Sequence, residues 1–254
     1  MTDGPCGPGL KGETPVDQTG GAGSIPAARL LGDFTVVKIA KRDAEPWLRR
    51  RHYAKSVPTI DFAFGLFMGA EKVGVCTFGR PPNRNLNDGR FFFQDGFSVR
   101  LIELNRLVVN DGLPKNSLSY FVSKCLAELP NHCCVVSYAD ANWGHHGYIY
   151  QALGWLYTGE SSAEPLWISP DGRRHRRRHV HLKAGLLRED SKELVRLGWC
   201  KIDQFPKHRY VVFIGNRREK REMRKALKVS ILPYPKGDNR RYDVGKEERS
   251  RAFF

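Results

Sequence analysis

The sequence predicts an α/β fold: a mixed sheet with helices on both faces, extended at its C-terminal end by a basic segment. Three observations lead there. Strand-like and helix-like segments alternate irregularly, the run Cys133–Ala139 is apolar enough to be buried on both faces, and positive charge gathers in the last third of the chain.

Residues 1–30 are rich in Gly, Pro, Ala and Thr without apolar periodicity and read as a flexible leader. Order begins at the β-branched run Phe34–Ile39. Asp43 has the chemistry of a helix N-cap, Pro46 falls in the first turn, and that helix should stop before Pro58, near His52-Tyr53-Ala54-Lys55. Asp61–Met68 and Lys72–Gly79, joined by Gly69-Ala70-Glu71, read as a hairpin. Residues 80–97 form a loop long enough to be functional. Val99–Val109 is a long strand, whose alternation puts Glu103 and Asn105 on one face and Leu104, Arg106 and Val108 on the other. After the turn Asn110-Asp111-Gly112, Ser117 is placed to cap a helix running to about Leu129. Asp140 then ends the Cys133–Ala139 strand, a helix is expected from about Trp143 to Leu153, and Trp155–Tyr157 is a further strand. Beyond it come a hairpin over Pro165–Leu182 with Asp171-Gly172 as its turn, a strand at Tyr210–Ile214 and a basic helical segment at Arg217–Lys228. The expected division is a leader (1–30), a core (31–160) and a basic hairpin with C-terminal extension (161–254). No internal repeat is present.

The net charge of +15 is unevenly placed: residues 1–169 hold 17 Lys/Arg against 16 Asp/Glu, and residues 170–254 hold 25 against 11. Such a cluster attracts a polyanion, and displaced counterions make nucleic-acid binding favourable. Arg173, Arg174, Arg176, Arg177, Arg178, Arg217, Arg218, Lys220 and Arg221 are the candidate nucleic-acid contacts; a merely solvated surface is the alternative. The six cysteines lack zinc-ligand spacing and read as reduced thiols. No apolar stretch reaches the length of a membrane helix, and no secretory signal is expected.

Two segments are similar to the GCN5-related acetyltransferase (GNAT) fold. One is Leu104-Asn105-Arg106-Leu107-Val108-Val109 with the glycine-containing loop and helix after it; the other is Asn142-x4-Gly147-x2-Tyr150-Gln151-x-Leu153-Gly154-Trp155. The resemblance implies a mixed, mostly antiparallel twisted sheet flanked by helices, with one strand splayed from its neighbour. It also implies acetyl-CoA or a related acyl donor, held by Val108, Val109, Gly112, Lys115, Asn116, Ser117 and Asn142. Asn110-Asp111-Gly112-Leu113-Pro114-Lys115-Asn116 departs from the usual pyrophosphate loop: it lacks two closely spaced glycines, and Pro114 removes a donor.

A closer resemblance is to the Mom family of phage DNA-modification proteins. It rests on His52-Tyr53-Ala54-Lys55-x-Val57-Pro58, Glu103-Leu104-Asn105-Arg106-Leu107, the long run from Ser137-Tyr138-Ala139-Asp140 through Gly144-His145-x-Gly147 to Ile149-Tyr150-Gln151, and Pro233-Tyr234-Pro235-Lys236. It spans about residues 34–236. The family implies conversion of adenine in duplex DNA to an N6-carbamoylmethyl derivative that shields phage DNA from restriction enzymes. It also implies a phage- or prophage-encoded protein acting in the cytoplasm of the bacterial host.

Adenine's exocyclic nitrogen is a poor nucleophile, so such an enzyme must extrude the base, position it and manage a proton. Asp140 is assigned as base or orienting carboxylate, Tyr150 as acid or hydrogen-bond donor, His52 and Tyr53 as positioning or proton-assisting groups, and Arg106 as an anion or oxyanion ligand. Each has a structural alternative: a helix cap for Asp140, core packing for Tyr150, a helix C-terminus for His52, and an ion pair with Glu103 or Asp140 for Arg106. Trp143 and Trp155 are expected in the core. His52, Asp140 and His145 are the set that could hold iron; adjacent His145 and His146 would point about 100° apart on a helix. Two other functions stay open: the GNAT resemblance also implies an N-acetyltransferase for a protein or small amine with a nucleic-acid-binding tail, and the basic last third fits a non-catalytic nucleic-acid-binding protein.

Overall fold

The computed structural model describes residues 33–82, 86, 89–176, 180–188 and 190–237, so the leader, Arg177, Arg178 and the side chain of Arg176 lie outside the described residues. The chain runs β1 (Phe34–Lys38), α1 (Lys41–Arg51), β2 (Phe62–Met68), β3 (Glu71–Gly79), β4 (Arg100–Val109), α2 (Ser117–Ala127), β5 (Cys133–Asp140), α3 (Tyr148–Ala152) and β6 (Leu156–Glu160). After an insertion it returns as β10 (Lys207–Ile214) and α6 (Arg217–Ala226). These strands form one sheet in the order β1-β2-β3-β4-β5-β10-β6. Every pairing is antiparallel except β4 with β5.

Helices cover both faces, as the alternating elements require. On one side α2 and α3 bury Phe121, Val122 and Tyr150 against Phe64, Leu66, Ile102, Leu104 and Tyr210. On the other, α1 sets Ala44 and Leu48 on Ala63 and Val75, and α6 sets Met223 and Ala226 on Phe92, Phe93, Val136 and Phe213. Trp155 is fully buried, as expected. The segment carrying Pro233-Tyr234-Pro235 lies as a strap: the Tyr234 hydroxyl donates to the Trp155 carbonyl at 2.7 Å and the Leu232 amide to that of Tyr157 at 2.9 Å.

Several local expectations change. α1 starts at Lys41 with Ala40 as its N-cap, because the Asp43 amide bonds the Ala40 carbonyl; Asp43 sits inside the first turn. Ser117 is not the cap of α2. Its hydroxyl and amide both donate to the Pro114 carbonyl, and Asn116, in the left-handed region at φ 70°, is the N-cap. The helix expected over 143–153 is split into a 3-10 turn (Ala141–Trp143) and the short α3 (Tyr148–Ala152), since Gly144 and Gly147 adopt φ of 71° and 81°.

The parity of β4 is also broken. Thr77 pairs with Arg106 and Phe78 with Leu104, so Asn105 is a bulge residue without a cross-strand partner. Ile102 and Leu104 face α2, but so do Leu107 and Val109, while Val108 joins the α1 cluster. Arg106 therefore shares a face with Val108 and not with Leu104.

A boundary at residue 160 does not describe the path of the chain, because β10 enters the main sheet between β5 and β6. The inserted part is a small three-stranded sheet, β7 (Leu166–Ile168), β8 (Arg174–Arg176) and β9 (Cys200–Ile202) in the order β8-β7-β9. The helices α4 (Val180–Lys183) and α5 (Ser191–Arg196) pack with it around Trp167, Val180, Leu194 and Trp199. The hairpin about Asp171-Gly172 forms, with Gly172 at φ 78°.

Candidate active site

The parallel β4–β5 ladder runs from the Arg100–Cys133 pair to the Glu103–Val136 pair and stops, although β4 continues to Val109 and β5 to Asp140. The two strands separate there, which is the splay that the acetyltransferase resemblance implies. The bulge at Asn105 marks the point of departure, and the Asn105 amide turns aside to the Thr59 carbonyl at 2.9 Å.

The end of β5 carries the first group. Asp140 is buried; its Oδ1 accepts from the Asn142 amide at 3.2 Å and from the Asn142 side chain at 2.8 Å, and its Oδ2 pairs with Nζ of Lys207. Lys207 is the first residue of β10, in register directly opposite Asp140. Asp140 does cap the 3-10 turn, as its structural alternative holds, but it also anchors a cation. Asn142 is a clamp rather than a cofactor ligand: its carbonyl oxygen takes the Phe205 amide at 2.7 Å and its NH2 group bonds Asp140 and the Phe205 carbonyl.

The end of α1 carries the second group. His52 leaves the helix as its C-cap, and the turn closes through the Lys55 amide on the His52 carbonyl at 2.9 Å. Arg106 holds this turn from β4, with Nε and Nη2 donating to Ser56 O and Oγ at 3.3 and 3.0 Å. His52 Nδ1 accepts the Ala54 amide at 3.1 Å, so a neutral ring must carry its proton on Nε2. Burial first, then the charges of Arg106, His145 and Lys207, push the His52 pKa down to about 3. His52 is thus a fixed neutral N–H donor at physiological pH. Arg106, Asp140, His145 and Lys207 are thus all near enough to His52 for their charges to act on it.

Aromatic rings border His52. Tyr53 lies 4.2 Å from His52, 5.3 Å from Trp143 and 5.8 Å from His145, centroid to centroid. Tyr53, Trp143 and His145 are half-buried, and Trp143 joins none of the core clusters, contrary to expectation. His146 turns away and stacks on His208 at 5.5 Å, so the two adjacent histidines serve different sides. Gly147 makes this possible: an added Cβ there would strike the ring of Tyr210.

Tyr150 stands on the opposite face of β5 from Asp140. Alternation puts Ser137 and Ala139 toward α2 and α3, and Tyr138 and Asp140 toward the side that carries α6 and α1. Ser137 Oγ lies 2.8 Å from the Leu104 carbonyl and 2.7 Å from the Tyr150 hydroxyl. With one proton to give, Ser137 donates it to the carbonyl and accepts from Tyr150. Burial raises the Tyr150 pKa and keeps the phenol protonated. Tyr150 therefore reaches the splay from behind, apart from the Asp140 group.

The other candidates separate. Val108 and Val109 lie on β4, and Gly112, Lys115, Asn116 and Ser117 on the loop into α2. Of the first four amides of α2, Ser117 and Tyr120 bond the Pro114 and Asn116 carbonyls, so a pyrophosphate there would rest on Leu118 and Ser119. That uncapped helix end beside a splay fits an acyl-CoA-type donor. Iron does not fit. Among the described residues no group of three His, Cys, Asp or Glu is arranged to hold a metal, and His52 Nδ1 and both Asp140 oxygens are already bonded. Arg217, Arg218, Lys220 and Arg221 are exposed on α6, and Arg173 and Arg174 on the β7–β8 hairpin. Some of this charge is engaged: Arg218 with Glu222 at 2.8 Å and Arg173 with Asp171 at 3.1 Å. Among the described residues no helix is long and apolar enough to cross a membrane.

Sequence reasoning missed Lys207, which gives no signal until the β5–β10 register is known, and undervalued Trp143 and His145, whose half-burial depends on the two glycine turns.

The model of the Mom protein family matches residues 33–236. Methylcarbamoylase mom of Escherichia phage Mu is 29% identical over 211 residues, covering 75% of this chain and 80% of that protein. Solved structures similar to the chain include a histone acetyltransferase HPA2 and related acetyltransferase from Corynebacterium glutamicum (12% identity, TM-score 0.37, 72% of this chain and 98% of that one). Another is Arabidopsis thaliana NAA60 in complex with acetyl-CoA (10% identity, TM-score 0.40, 71% and 99%).

Proposed function

Since this chain belongs to the Mom protein family, we propose that it is a transferase that converts adenine in duplex DNA to an N6-carbamoylmethyl derivative, and so protects that DNA from restriction endonucleases. One observation carries the reading. Three segments far apart in sequence, which supply His52 and Tyr53, Arg106, and Asp140 with Trp143 and His145, gather about His52, with Tyr53, Trp143 and His145 half-buried.

Each group then has a task. An extruded purine stacks among Tyr53, Trp143 and His145. His52, neutral, donates its Nε2 proton to an acceptor on the purine or the transferred group. Lys207, held by Asp140, and Arg106 stabilise negative charge as the new N–C bond forms. Asp140, its Oδ1 held by Asn142, orients Lys207 through Oδ2 and takes the proton that N6 gives up on the Oδ2 lone pair that Lys207 leaves unused. Tyr150, protonated and at the splay, supplies a proton to the leaving group from the other side. A CoA-type donor held at the splay and α2 would present the group to be transferred; because N6 ends bonded to a methylene, the bond that would break is the one between that methylene and its leaving group, which departs with the Tyr150 proton. The basic faces of α6 and the β7–β8 hairpin hold DNA phosphates.

The test is to co-express the chain with a plasmid, digest the DNA to nucleosides and weigh the deoxyadenosine species. A carbamoylmethyl addition absent from a His52→Asn, Asp140→Asn control supports the reading. An acetyl addition on a protein or small amine, with DNA unmodified, would establish an ordinary acetyltransferase instead.

A further inference from the structure

The near-neutral charge balance of the first 169 residues conceals a local cluster of cations beside His52. α1 ends in Arg49, Arg50 and Arg51, all exposed, and the turn that follows places exposed Lys55 three residues after His52. Arg51 is engaged: it bonds Asn110 and lies 4.4 Å over the Trp47 ring. Arg49, Arg50 and Lys55 form no ion pair among the described residues. Lys55 also takes an unfavourable left-handed conformation, φ 43°, which costs energy in a residue other than glycine. Arg106 holds the turn in that shape through Ser56.

Cations in the last turn of a helix are favoured by its dipole, and that alone could account for three arginines. It does not account for Lys55, which lies beyond the helix. Nor does it account for position: α1 and α6 lie on the same side of the sheet, and Asp140 faces that side too. Two basic helices thus lie on the side of the sheet that Asp140 faces. A duplex carries a phosphate every ~3.4 Å of helix axis on each strand, so a strand feeding one nucleotide to the residues about His52 brings neighbouring phosphates past them.

We propose that Arg49, Arg50 and Lys55 are a second DNA-backbone site that grips the phosphates flanking the extruded adenine, distinct from the α6 and hairpin contacts. This rests on the proposed DNA-modifying function. The α6 surface gives general affinity; the α1 site sets where along the strand the nucleotide leaves the stack.

The experiment compares the wild-type chain with Arg49→Gln/Arg50→Gln/Lys55→Gln and with Arg217→Gln/Lys220→Gln/Arg221→Gln, by anisotropy on a labelled duplex across a salt series. Each lost phosphate contact should flatten the log–log salt dependence by roughly 0.9, so the α1 triple variant loses about 2 to 3 in slope while its melting temperature holds. Position is read by disulfide trapping: Lys55→Cys in a Cys6→Ser/Cys200→Ser background, against a duplex with a thiol tether either beside an adenine the wild type modifies or one helical turn away. Trapping beside the adenine alone is expected. An unchanged slope, or equal trapping at both positions, overturns the α1 site while leaving the proposed function intact. A wild-type chain that neither binds nor modifies duplex overturns both.

Discussion

His52→Asn separates the two things His52 does. The Asn side-chain oxygen can replace Nδ1 as acceptor of the Ala54 amide, now at 3.1 Å, but it cannot present a donor where Nε2 lies. In the wild type the ring refuses a proton until about pH 3, whereas a histidine in the unfolded chain accepts one near 6.5. The sign follows: above pH 6.5 neither state is protonated and His52 adds no pH dependence; as pH falls below 6.5 only the unfolded state takes up the proton, so stability drops. At about 1.4 kcal/mol per pH unit, the drop reaches roughly 2 kcal/mol by pH 5 and approaches 5 kcal/mol near pH 3. Urea unfolding followed by tryptophan fluorescence at pH 7, 6 and 5 measures it. His145 and His208 also have lowered pKa values, through burial, but they contribute to both proteins and cancel in the difference. The variant should lose about 2 kcal/mol less than the wild type between pH 7 and 5, and should fail to modify DNA at any pH. Parallel pH curves would show that His52 is not held neutral, and would remove its role as a fixed donor.

Three further outcomes are expected. Asp140→Asn keeps the bonds to Asn142 but leaves Lys207 without its carboxylate; the modified-adenine yield should fall at least about tenfold, for a stability change of roughly 1 to 3 kcal/mol by thermal melting. Tyr150→Phe removes one hydroxyl while Ser137 keeps its bond to Leu104, so stability should change by about 1 kcal/mol; a proton donor lost from the chemistry should slow single-turnover modification by roughly a hundredfold or more, and a rate within a few-fold would make Tyr150 purely structural. Gly147→Ala forces a side chain into Tyr210 at a φ of 81° and should cost at least about 2 kcal/mol in melting experiments.

Much of the fold could be read from local chemistry. Turn signals at Asp171-Gly172 and apolar runs such as Cys133–Ala139 found the hairpin and the central strand. What failed was whatever depended on a partner distant in sequence. Strict alternation through β4 misplaced Arg106 because nothing local announces the Asn105 bulge, which answers to Thr77 and Thr59. Lys207 is one of many lysines until β10 slides in beside β5. The site shows the same split: His52, Tyr53, Arg106 and Asp140 were found by their family pattern and the structure assembles them, whereas Tyr150, read from the same pattern, proves to approach from the opposite face. Summed charge by region hid the arginines of α1 because acids elsewhere in those residues balance them.

The position of β10 also sets the order in which the protein can be completed. β5 and β6 leave the ribosome first, yet neither can be joined to the other until residues 161–206 have been made and the later strand fills the gap between them. Closing so long a detour is entropically slow, and until it closes Asp140 has no ammonium to hold. A nascent chain would therefore lack the Asp140–Lys207 pair until its final strand is in place.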